Sequence, residues 1–101
     1  MTLNLIPGGI APIVHVSASD VDSRTLEIKL KDGLEDFTPV GEITLKGSYR
    51  GGVIEEECTI SNEVVTVTLP NIPESAICQI AIKLNEELIH TQKFVVEVEK
   101  L

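Results

Sequence analysis

A chain of 101 residues has room for one domain, and its sixteen acidic residues against eight basic ones give a formal charge of −8. That charge repels a polyphosphate or an anionic bilayer before contact, which sets nucleic acid and membrane aside as partners. Arg24 and Arg50 are the only arginines, and the lysines are spread along the chain instead of forming a stripe.

The opening, "MTLNLIPGGIAPIVHV", is apolar and then broken by Pro7, Gly8, Gly9 and Pro12. It lacks the basic n-region of an export signal. The same prolines and glycines forbid the helix of roughly 20 apolar residues that a bilayer needs. The expectation is an extended arm over residues 1–12 and a single β domain over residues 13–101. Leu5, Ile6, Pro7 and Ile10 of the arm are expected to pack on the domain or on a neighbouring subunit, and a strand partner within the same domain is the alternative.

The body reads as short strands. In "RTLEIKL", Leu26, Ile28 and Leu30 alternate with Thr25, Glu27 and Lys29, the period of a sheet with one wet face. "KDG" ends that strand. "GEITLKGSY" repeats the pattern with Ile43, Leu45 and Tyr49 on one side, and "RGG" reverses the chain. "VIEEECTI" places Ile54, Cys58 and Ile60 with Glu56 on one face, which predicts an edge or bulged strand.

"SNE" then makes a tight turn into "VVTVTLP", with Val65, Val67 and Leu69 inward, and this is the clearest hairpin in the sequence. "NIPES" reads as a loop with room for one helical turn. "AICQIAIKL" directs Cys78, Ile80, Ile82 and Leu84 inward, "NEE" turns, and "KFVVEVE" closes with Phe94, Val96 and Val98 inward. Seven or eight strands at roughly ten-residue spacing predict an all-β fold, an immunoglobulin-like antiparallel β-sandwich. The absent tryptophan and the cysteine spacing exclude an antibody-type domain.

Chemistry is sparse. There is no phosphate-binding glycine loop, and "KGSYRGG" is not a nucleophile elbow. His15 and His90 are far apart, with no serine or thiol placed for activation, so no enzyme and no catalytic residue is expected. Cys58 and Cys78 read as small buried hydrophobes, with a disulfide between them as the alternative, and zinc is set aside because neither C-x-x-C nor H-x-x-x-H spacing is present. The acidic clusters Asp20 with Asp22, and Asp32 with Glu35 and Asp36, do not have the spacing of a known calcium loop. No cofactor or metal is expected. A carbohydrate-binding adhesion or capsid-decoration module is the competing reading for a sandwich. It requires exposed rings, and alternation leaves only Phe37, in "LEDFTPVG", for that role.

The segment "NLIPGGIAPIVHVSASD" is similar to the "PG-I-PP-VVHVS-YD" opening of tail proteins from phages and prophages of Gram-positive bacteria. The stretches "RTLEIKLKDGLEDFTPVGEITLKGSYRGG", "ECTISNEVVTVTLP" and "ICQIAIKLNEELIHTQKFVVEVEK" follow the same plan, so nearly the whole chain resembles the N-terminal domain of the phage baseplate upper protein family. "PESAIC" departs from it, lacking the glycine that relatives often place before the second cysteine. The resemblance implies a non-enzymatic virion structural domain that attaches a receptor-binding or fibre protein to the tail tip. It also implies other tail and baseplate proteins as partners, a homo-oligomeric arrangement in the full assembly, and a place in the virion tail after assembly in the bacterial cytoplasm.

Overall fold

The computed structural model describes residues 1–6, 10–17 and 24–99. Eleven strands lie among them: β1 (Thr2–Asn4), β2 (Ile13–Ser17), β3 (Thr25–Asp32), β4 (Glu35–Phe37), β5 (Glu42–Tyr49), β6 (Gly52–Glu57), β7 (Thr59–Ser61), β8 (Val64–Thr68), β9 (Ala76–Leu84), β10 (Glu87–His90) and β11 (Phe94–Glu99). They form two sheets. One has the order β1-β3-β8-β7, with β4 paired to β3. The other has the order β2-β11-β9-β5-β6, with β10 paired to β9.

The alternation read from the sequence sets the inner faces. Ile28, Leu30, Val65 and Val67 of the first sheet meet Leu45, Ile80, Ile82, Phe94 and Val96 of the second in one buried cluster. Fully burying such a side chain is worth about 1.5–3 kcal/mol, so this aliphatic layer is the main source of stability.

The turns follow local chemistry. Asn62 and Glu63 take φ of 52° and 66°, the type I′ conformation that matches the twist of the β7–β8 hairpin. Gly41, at φ +109°, lets the chain enter β5 directly against the Lys83 carbonyl, where a Cβ has no space.

Several expectations are corrected. The strand count among the described residues is eleven instead of seven or eight, because the opening pairs as β1, the short β4 is added, and a strand that changes sheet counts twice. "VIEEECTI" is one such case: Gly52–Glu57 pairs with β5, and Thr59–Ser61 pairs with β8 in the opposite sheet. Cys58 is the corner, its amide donating to the Ile43 carbonyl at 2.9 Å. Ile60, past that corner on an edge strand, is exposed where alternation had put it inside. Leu84 is also exposed, because it sits at the hairpin end of β9, beside the Asn85 turn. Residues 71–75 bend without a helical turn. The sandwich is not wholly antiparallel, since β1 joins β3 and β2 joins β11 in parallel.

One break in the ladder is filled by a side chain. Between β10 and β11, the buried Thr91 hydroxyl accepts from the Ile80 amide at 3.1 Å and donates to the Gln92 carbonyl at 3.0 Å. The Thr91 amide returns to the Ile80 carbonyl at 3.0 Å. The hydroxyl and amide of a buried threonine are thereby paired where the backbone leaves the sheet register.

Candidate docking surface

The first residues are part of the sandwich. Leu3 is fully buried in the core, while β1 runs beside Lys29, Leu30 and Lys31 of β3. The Leu5 amide extends this pairing, donating to the Lys31 carbonyl at 2.8 Å.

Asn4 ties this strand to two other parts of the fold. Its Oδ1 accepts from the amides of Ile6 and Gly33, both at 3.0 Å, and its Nδ2 donates to the Gly33 carbonyl at 2.9 Å. Its own amide donates to Gln92 Oε1 at 3.0 Å, and its carbonyl accepts from the Gln92 amide at 2.8 Å. The side-chain amide therefore reproduces a rung of backbone pairing with the β3–β4 turn. The backbone of the same residue reaches the loop before β11, in the other sheet.

This clasp decides what the predicted docking residues do. Leu5 packs against the core cluster. Ile6 projects outward, 56% exposed, beside the β3–β4 turn, whose Leu34 is 97% exposed. Ile10 is 94% exposed ahead of β2. Pro7 lies outside the described residues. The arm expected over residues 1–12 thus divides into an anchored segment, residues 2–5, and apolar side chains offered to solvent at Ile6 and Ile10. Sequence reasoning did not single out Asn4 or Gln92. No local pattern marks a contact between residues 88 apart.

Phe37 pairs with Leu30 in register and is half-buried against the core, so it closes the sandwich instead of presenting an open ring. Tyr49 packs there too, and Phe94 is fully buried. Asp36 is engaged by Lys29 and Lys31 at 3.5 and 3.7 Å. Asp20 and Asp22 lie outside the described residues. His15 Nδ1 stands 3.4 and 3.7 Å from the carboxylates of Glu97 and Glu99, bracing the parallel β2–β11 pair. Among the described residues no cluster of three His, Cys, Asp or Glu is arranged to hold a metal ion.

Both cysteines are free, Cys78 buried and Cys58 half-buried. Burial pushes each thiol up to about 11. For Cys58 a backbone hydrogen bond from Leu45 opposes this, and the nearby Glu56 charge adds to it. Neutral thiols at physiological pH are packing groups and not nucleophiles.

The fold defines a two-sheet β-sandwich in which N-terminal strands complete both sheets. A solved structure with this fold is the "N-terminal domain of phage TP901-1 ORF48", to which the chain is similar with a TM-score of 0.70 at 14% identity, over 98% of this chain and 97% of that one. No family model and no curated protein matches the sequence.

Proposed function

We propose that this chain is a non-enzymatic structural domain of a phage tail or baseplate, which docks a receptor-binding or fibre protein to the tail tip. The observation that carries the reading is the nearly complete mutual coverage with the N-terminal domain of a phage protein. It falls on a chain whose sequence resembles the N-terminal domain of the baseplate upper protein family from its opening to its closing "FVVEVE". The resemblance in pattern and the likeness in shape both support a phage structural role.

Ile6, Pro7 and Ile10 form the docking element, with Leu5 anchoring it to the core. Ile6 is an exposed apolar side chain next to a segment fixed by the Asn4 clasp, Ile10 is exposed ahead of β2, and a partner that covers them gains their burial. The partners are other tail and baseplate proteins. The packing of Phe37, Tyr49 and Phe94 against or within the core weighs against a carbohydrate platform, which needs open aromatic faces.

The test is electron microscopy of phage particles from the encoding strain, labelled with an antibody raised to this domain. Label at the distal tail is the expected result. Label on the head, or none, overturns the reading.

A further inference from the structure

The outer face of the six-stranded sheet carries a feature that the tail reading does not use. Register places Ile13 beside Val95, Val95 beside Ile77, Ile77 beside Ser48, and Ser48 beside Val53. These outward residues make a single row that crosses five strands, apolar except for one serine. Ile77 is 54% exposed and Val53 80%. Beside the row is a hollow of about 250 Å³, whose lining includes Lys46, Ser48, Ile77, Gln79 and Lys93.

Two lysines, Lys46 and Lys93, line this hollow. In a chain with twice as many acids as bases, Lys29 and Lys31 are engaged by Asp36. Among the described residues no carboxylate lies within ion-pair distance of Lys46 or Lys93, although Glu55 is the cross-strand neighbour of Lys46.

We propose that this face binds an acidic peptide segment of a partner protein, seating an apolar side chain against Ile77 and a carboxylate between Lys46 and Lys93. Charge selects the occupant. A single carboxylate finds two unneutralised ammonium groups, with the Ser48 hydroxyl and the Gln79 amide as hydrogen-bond partners. Length agrees: four inter-strand steps of about 4.8 Å make the row about 19 Å long, the reach of roughly six extended residues. The row and the hollow share no residue with Ile6 or Ile10, so this surface is separate from the docking element above.

The test is an NMR titration of the ¹⁵N-labelled domain with the peptide Ac-Asp-Leu-Glu-Val-Asp-amide, and with Ac-Lys-Leu-Lys-Val-Lys-amide as its charge-reversed control. The expected result is saturable shifts of the Gly47, Ser48, Ile77 and Gln79 amides with the acidic peptide alone. Binding weakens about tenfold in a Lys46→Glu/Lys93→Glu variant, whose substitutions are on the surface and leave the spectrum otherwise unchanged. Equal binding of the lysine peptide, shifts confined to the surroundings of Ile6 and Leu34, or no shift at all overturns the proposal. So does a set of shifts that grows with protein concentration alone, which assigns the face to a second copy of the chain. Any of these leaves the tail reading untouched, because that reading is tested on particles.

Discussion

The two sheets present similar inner faces to the core and different outer faces to water. On the five-stranded sheet most outward positions are polar and several engage one another: Thr25 and Thr68 face each other at 3.1 Å, and Asp36 sits near both Lys29 and Lys31. On the six-stranded sheet the outward positions include the apolar row through Ile77, with Lys46 and Lys93 beside it. Inward residues are constrained by the sandwich, because each must fill space against the opposing sheet. Outward residues are under no such constraint. A difference between two outer faces therefore reports on what each face meets, and not on how the domain folds.

The largest test asks whether the inner faces do hold the sheets. Phe94→Ala removes a fully buried ring and is expected to lower stability by about 3–5 kcal/mol, measured by urea unfolding followed by circular dichroism. A loss below about 1 kcal/mol would mean that the core is not organised around β11.

Next is the side-chain half of the Asn4 clasp, which ties β1 to the β3–β4 turn. Asn4→Ala deletes the hydrogen bonds to Gly33 and Ile6 and leaves those backbone groups to find water, and the expected loss is about 1–2 kcal/mol. The urea midpoint should fall with the slope unchanged. An unchanged midpoint would show that pairing of β1 with β3 suffices.

The smallest effect sharpens the comparison itself. Ile77→Thr, on the outward row, keeps a β-branched side chain and is expected to shift stability by no more than about 0.5 kcal/mol. The same change at Ile80, which points into the core from the same strand, buries a hydroxyl and leaves a gap, and should be several-fold more damaging. Similar losses at the two positions would mean that the outer row is structural, and the face would lose its standing as a binding surface.

Much of this fold was legible in the sequence because alternation reports burial directly. Leu26, Ile28 and Leu30, Val65 and Val67, and Cys78, Ile80 and Ile82 are all buried as read. What was not legible depends on which strand a segment meets, and local pattern does not carry that. The alternation of "VIEEECTI" is the same whether the chain stays in one sheet or turns at Cys58 into the other. The parallel seats of β1 and β2 depend on partners much later in the chain. At the candidate site, the apolar character of Ile6 and Ile10 was visible in the sequence, but the division between anchored and exposed residues was not. Asn4 makes that division through Gly33 and Gln92, and an asparagine in an apolar opening looks like an interruption until its partners are known.

The parallel pairing of β2 with β11 also sets a schedule. Strand β1 finds β3 soon after both leave the ribosome, but Ile13–Ser17 has no partner until Phe94–Glu99 has been made. Contacts across so much chain are slow to close, because the loop entropy is lost before the pairing energy is gained. A nascent domain therefore carries an open sheet edge for almost the whole of its synthesis. Strand β11 fills the place between β2 and β9, and truncation just before it would leave both of those strands without a partner on that side and prone to pair with another chain.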